Sequence, residues 1–277
     1  MGELDDLVSA VLATPKYRAV CADTVRRLGT TELAKRGGLK EAVKATKSRL
    51  HQVFGAFGRA PDYERLFRDL ADAHASADAE AFREACRAAM ACHASTRERL
   101  PLLGRFYAEV FAVTGTPRRV LDLACGLHPL AIPWMELPAH APDAAYWAYD
   151  LDGRAVAFLN RCAPFLGEGF QAVHTDILCA PPTDEADVAF LLKAATSLER
   201  QERGATRRVL DALRVRHVVV SFPVTSLGGR GKGMRGNYEQ IFHALLGDAP
   251  WVVERLDFPA ELVFVVRKPP AATFSHS

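Results

Sequence analysis

The sequence predicts an α/β protein: a mostly parallel, seven-stranded sheet ending in an antiparallel hairpin, preceded by an all-helical N-terminal domain. Three observations carry this. No convincing strand precedes residue 118. Beyond it, short β-rich runs alternate with helical ones, as in parallel sheets covered on both faces. The last two β-rich runs are separated only by Pro259-Ala260-Glu261, too short a link to hold a crossover helix, so they must pair antiparallel.

The elements follow in chain order. Leu4–Leu12 has apolar residues at helical spacing, and Thr14-Pro15 punctuates it. A second helical pattern covers Lys16–Leu28, and Thr30-Thr31-Glu32 reads as the start of another helix. Gly37-Gly38 breaks the pattern before a basic helix over Leu39–Phe54. Pro61-Asp62 opens the next helix, through Leu70, and Ala79–Ala91 and Glu98–Val113 are helical as well. The strands are expected at Val120–Cys125, Ala145–Tyr149, Gln171–Thr175, Val188–Leu192, Val215–Phe222, Val252–Phe258 and Leu262–Arg267. Helices are expected near 130–137, 153–166, 197–213 and 237–246. The division falls at residue 95, giving a helical domain over 1–95 and a sheet domain over 96–277.

Charge is unevenly spread. The chain of 277 residues has a formal net charge of +2. Thr14–Ala60 alone carries eleven Lys/Arg against three acids, so the rest is net negative. Such a local excess suits docking on a polyanion. No apolar run is long enough to span a bilayer. Met1–Asp6 is acidic and lacks the basic start of a signal peptide, so a cytoplasmic protein is expected. None of the six cysteines forms a CxxC pair or has zinc-ligand spacing, which suits free thiols in a reducing compartment and no metal site.

The candidate site lies at the strand ends, where open α/β sheets bind ligands. The first strand runs into Asp122-Leu-Ala124-Cys-Gly126-Leu-His-Pro129, with a glycine where backbone can approach a ligand. The second ends in Asp150-Leu151-Asp152, an acid placed for a ribose hydroxyl pair. The third ends in Asp176-Ile177, placed for an adenine amino group and ring. Each acid alone could simply cap the next helix. Three of them at three successive strand ends point to an adenosine-type cofactor.

Four stretches resemble the Arm/Rmt-type 16S rRNA (guanine-N7) methyltransferases of aminoglycoside producers and resistant bacteria. They are the Asp122–Pro129 turn, His93-Ala-Ser-Thr-Arg-Glu-Arg-Leu100, Leu192-Lys-Ala-Ala-Thr-Ser-Leu-Glu-Arg-Gln201, and Ser221-Phe-Pro-Val-Thr-Ser-Leu-Gly-Gly-Arg-Gly-Lys-Gly-Met234. The chain departs from the commoner pattern at Gly231 and Arg200, without losing a functional group. The resemblance implies a class I S-adenosylmethionine-dependent methyltransferase with a Rossmann-like sheet. It also implies methylation at N7 of guanine 1405 in the assembled 30S subunit, and resistance to 4,6-disubstituted 2-deoxystreptamine drugs such as gentamicin and kanamycin.

Roles follow from that implication. Guanine N7 has a lone pair and no proton, so proximity and alignment suffice and no acid–base pair is expected. The target base must be flipped out of its helix. Phe222, Tyr238, Phe106 and Tyr107 are the stacking candidates. Lys193 and Gln201 are expected to line the methyl-transfer pocket, beside Leu192. Arg99 is expected to hold the methionine carboxylate in a bidentate fork. Arg230, Lys232 and Arg235, in a stretch with five glycines over 228–236, are expected to hold phosphates flanking the flipped base. Lys16, Arg18, Arg26, Lys44, Lys47 and Arg49 are expected to dock on rRNA phosphates. A monomer is the simplest state, with neither DNA nor a membrane as partner.

Overall fold

In the computed structural model, residues 2–54, 61–138, 141–224 and 234–269 are described. The chain opens with three helices, α1 (Glu3–Leu12), α2 (Ala22–Lys35) and α3 (Leu39–Phe54). They share a small core of their own, built around Leu7, Val11, Val25, Leu28, Ala42 and Leu50. Helix α2 runs straight through Thr30, so no new helix begins there. The Thr30 hydroxyl bonds back to the Arg26 carbonyl at 2.9 Å, which lets the residue sit mid-helix.

Helices α4 (Tyr63–Ala75) and α5 (Ala79–Ala91) follow, each capped by an aspartate, Asp62 and Asp78. The expected helix over Glu98–Val113 is divided. Four residues of α6 (Ala94–Arg97) lead into a 3-10 turn at Leu100–Leu102 and then α7 (Leu103–Thr114). Pro101 has no N–H to continue an α ladder, which explains the break.

The sheet comprises β1 (Arg119–Leu123), β2 (Ala145–Asp150), β3 (Phe170–His174), β4 (Glu185–Leu192), β5 (Arg214–Pro223), β6 (Val252–Phe258) and β7 (Glu261–Arg267). Their order is β3-β2-β1-β4-β5-β7-β6. The first five are parallel, and β7 pairs antiparallel with both β5 and β6, as the short link required. Strand order reverses between β1 and β4, and the crevice at that switch point is where such sheets hold ligands.

Between strands lie α8 (Gly153–Leu166), α9 (Ala195–Gln201), α10 (Ala205–Ala212) and α11 (Met234–Leu246). The pattern near 130–137 is a 3-10 helix, His128–Trp134, because Pro133 cannot join an α ladder. The single helix expected over 197–213 is two. Gly204 turns left-handed between them, and the Glu199 carboxylate accepts the Gly204 and Thr206 amides at 2.8 Å each.

Two layers cover the sheet. α9, α10 and α11 pack on one face around Leu191, Val218 and Phe264. The other face holds α7, α8 and the 3-10 helix, together with Leu66 and Leu70 of α4 and Cys86 and Met90 of α5. The cores therefore group α4 and α5 with the sheet and leave α1, α2 and α3 around a core of their own. Each buried leucine there contributes roughly 1.5–3 kcal/mol relative to exposure, which ties α4 and α5 to the sheet domain. Among the described residues no helix is long and apolar enough to cross a membrane.

Candidate functional site

A cavity of about 460 Å³ opens at the switch point. Its floor is the turn after β1, with Ala124, Gly126 and Leu127. One wall is the β2–α8 turn, Asp150, Leu151 and Asp152, and the opposite wall is Leu192, Lys193, Ala194, Leu198 and Gln201. The roof is shared. Lys16 comes from the segment between α1 and α2, His51 and Val53 from α3, Tyr63 from α4, and His93 and Ser95 from the stretch before α7.

Three left-handed residues line the cavity. Gly126 has φ +53, and a Cβ there would stand 3.0 Å from His93 Cε1. Ala124 (φ +51) and Lys193 (φ +57) are left-handed without being glycine. Such residues cost of order 1–3 kcal/mol and persist where surrounding structure fixes them. Both end a strand abruptly, so that backbone faces the cavity.

Asp150 sits at the end of β2. Its Oδ2 accepts the Gly126 amide at 2.9 Å and its Oδ1 the Asp152 amide at 2.8 Å. Burial pushes its carboxyl above the usual range, and those backbone amides oppose the shift. Each oxygen keeps a second lone pair, so the carboxylate can still accept a pair of hydroxyls. An acceptor for a ribose diol, a floor without a Cβ at Gly126 and leucine walls fit an adenosyl group. The volume is within the range of small-molecule sites.

Lys193 ends β4 with its side chain buried. Its amide donates to the Ser221 carbonyl and hydroxyl, each at 3.0 Å. Its Nζ donates to Glu98 Oε2 at 2.6 Å and lies 3.9 Å from Glu261. Glu261 in turn accepts the Arg99 fork and the Ser221 hydroxyl. Burial works against the Glu261 charge, but Arg99 and Lys193 outweigh it and hold its carboxyl below the ordinary value. Two cations and two carboxylates balance here, and of the four only Lys193 lines the cavity.

The chain is similar in sequence and fold to known proteins. The family model described as Ribosomal RNA methyltransferase (FmrO) matches residues 13–265. The chain belongs to that family. It is 43% identical to the 16S rRNA (guanine(1405)-N(7))-methyltransferase of Frankia casuarinae, over 96% of this chain and 94% of that one. It is 40% identical to the enzyme of the same name from Micromonospora rosea, over 96% and 97%. The crystal structure of the 16S rRNA methyltransferase RmtF in complex with S-adenosyl-L-homocysteine superposes with a TM-score of 0.82 at 33% identity, covering 97% and 99% of the two chains.

Family membership makes S-adenosylmethionine the cofactor. The residues expected for it divide into two groups. Ala124, Gly126, Asp150, Leu151 and Leu192, with Lys193 and Gln201, line the cavity. Four others do not. Arg99 is 3% exposed, and its guanidinium is bound to Glu261 through Nε and Nη2 and lies over the Phe106 ring. Asp122 is 1% exposed and accepts from His128 Nδ1 and the Tyr146 hydroxyl, both at 2.8 Å, which makes it an anchor beneath the turn. Asp176 takes Arg27 Nη2 at 2.8 Å on Oδ2 and the Leu178 amide on Oδ1. Ile177 packs in the core beside it.

Phe222, expected to stack on the flipped base, is packed among other aromatic rings. It is 1% exposed, with Tyr238 stacked on it at 5.1 Å and Phe242 and Phe264 against its edges. Phe106 and Tyr107 are equally buried, and the Tyr107 hydroxyl is bound to His128. Arg230 and Lys232 lie outside the described residues. Arg235 bonds to Asp257 and to the Phe258 carbonyl.

Of the docking cations, Arg18 and Lys44 stand exposed and Lys47 is half-buried, its carbonyl accepting the Tyr17 hydroxyl. Arg26 is paired with Asp5, and Arg49 with Glu32 and the Gln201 carbonyl. Lys16 is a cavity residue as well, 2.9 Å from His51 Nδ1. Sequence reasoning gave no role to His51, Tyr63, Ser95, Glu98 or Arg27. His93, Ser95 and Glu98 belong to the His93–Leu100 stretch that carries the resemblance, and Arg27 is one of the eleven basic residues of Thr14–Ala60, with nothing local to set it apart from the others.

Proposed function

We propose that this protein transfers a methyl group from S-adenosylmethionine to N7 of guanine 1405 in the 16S rRNA of the assembled 30S subunit. The product would protect the ribosome from 4,6-disubstituted 2-deoxystreptamine aminoglycosides. The observation that carries this is the extent of the likeness: it runs over 96% of the chain to a relative of that name, basic N-terminal helices included. A cytoplasmic monomer is the simplest form for docking on the particle.

Asp150 would hold the ribose hydroxyls, with Leu151, Leu192 and Leu198 along the apolar walls. The cofactor supplies an electrophilic methyl group. The protein's part is to exclude water and to align N7, which carries no proton to remove. Lys193, the cation on the cavity wall, is balanced by Glu98 and by the Arg99–Glu261 pair behind it, which suits a methylated guanine that is a cation because it adds no net repulsion.

The test is tritium transfer from labelled S-adenosylmethionine to purified 30S subunits, followed by borohydride–aniline cleavage of the rRNA. Label with a single break at guanine 1405 is expected. Label without a break would move the methyl to another atom, and absence of label beside intact cofactor binding would remove the 30S subunit as substrate.

A further inference from the structure

The N-terminal helices do more than carry charge. The segment between α1 and α2 is sewn by backbone to the β2–α8 turn that presents Asp150. Cys21 N donates to the Leu151 carbonyl at 2.9 Å, and Gly153 N to the Ala19 carbonyl at 2.7 Å. Val20 and Asp152 form a β-bridge. Across the cavity, Arg27 of α2 gives Nη2 to both Asp176 Oδ2 and Gln201 Oε1, each at 2.8 Å, while Arg49 of α3 holds the Gln201 carbonyl at 3.0 Å.

Arg27 determines which end of the Gln201 amide is free. A guanidinium has five N–H donors and no acceptor. Only the amide oxygen can face it, so the –NH2 group is the end left for the cavity that Gln201 lines. Arg27 is itself fixed by the buried carboxylate of Asp176, so the amide cannot turn over without breaking that arrangement.

The geometry points to Arg27 as a positioning residue that presents the Gln201 amide as a hydrogen-bond donor to an acceptor atom on the adenosyl half of the cofactor. The N-terminal unit thereby completes the cofactor site. This rests on the cavity being the cofactor site. It also means that a shift of α2 on docking would act on cofactor affinity, and the two bindings must then influence each other reciprocally.

The test is calorimetric titration of the purified protein with S-adenosylhomocysteine, with melting followed by circular dichroism. Gln201→Glu keeps an oxygen for Arg27 but removes the donors, and Gln201→Met removes them without adding charge. Both are expected to weaken S-adenosylhomocysteine about 10-fold with the fold intact, the cost of one hydrogen bond to a ligand. Arg27→Ala is expected to weaken it about 5-fold, and the Arg27→Ala/Gln201→Met pair no more than Gln201→Met alone. Wild-type affinity in both Gln201 variants overturns the inference, and so do independent, multiplying effects of the two sites. Absence of S-adenosylhomocysteine binding by the wild type would overturn the cofactor assignment itself, and this inference with it. If Arg27→Ala does not fold, the two Gln201 variants decide alone.

Discussion

Glu261 carries a charge that its surroundings would not tolerate without Arg99. Both side chains are buried, and removing one partner of such a pair costs about 3 kcal/mol or more, because the other is left uncompensated. Glu261→Gln is therefore expected to lose about 3 kcal/mol of stability at pH 7 in urea unfolding. The pH dependence has a definite sign. The folded carboxyl titrates below the ordinary value of 4.5, so the unfolded chain binds the proton more readily. The stabilisation is complete above about pH 4.5 and is lost as pH falls through the folded value. The gap between wild type and Glu261→Gln should shrink between pH 7 and pH 3. An unchanged gap would show that the charge is not what the pair contributes.

Phe222 gives a second test at this scale. As a core side chain, Phe222→Ala should cost about 3–5 kcal/mol, while Phe222→Leu, nearer in volume, should cost less. Phe222→Leu should then still methylate 30S subunits well below its melting temperature. A folded Phe222→Leu protein without activity would restore a role on the flipped base. Phe222 could not be placed from sequence, because an aromatic residue at a strand end reads the same whether helix α11 covers it or not.

Among elements, the α1–α2 segment and the β2–α8 turn meet closely. A Cβ on Gly153 would stand 3.1 Å from the Ala19 carbonyl oxygen and 3.0 Å from His174 Cε1. Gly153→Val should push the two apart at a cost of roughly 1–3 kcal/mol. A lower melting temperature together with weaker S-adenosylhomocysteine binding is expected. Unchanged binding would mean that the turn holds its shape without the N-terminal unit. The helices themselves were legible in the chain, yet their breaks were less so. Pro101 and Pro133 divide or tighten helices at points where apolar spacing alone continues, and Gly204 with the Glu199 cap splits what periodicity joins.

At the scale of the molecule, charge and cavity are joined through the same three helices. Arg18, Lys40 and Lys44 are exposed, whereas Arg26 and Arg49 are committed to acids. Reversing Arg18, Lys40 and Lys44 to glutamate should weaken 30S binding at least 10-fold and flatten its dependence on salt, since fewer phosphates are neutralised. S-adenosylhomocysteine affinity should not move in that variant. Normal 30S binding by the folded variant would place the docking face elsewhere.

The sequence by itself determined the sheet, its antiparallel end, the helical lead-in and the turns that floor the cavity, because period, punctuation and link length are local properties. Only the tertiary structure decided which acid stays available. Asp122, Asp150 and Asp176 look alike at three strand ends. Yet Asp122 accepts from His128 and Tyr146, Asp176 is paired with Arg27, and of the three only Asp150 lines the cavity. A buried carboxylate takes whatever donor the fold brings to it, and Arg27 arrives from 149 residues away in the chain. No local pattern encodes so distant a partner.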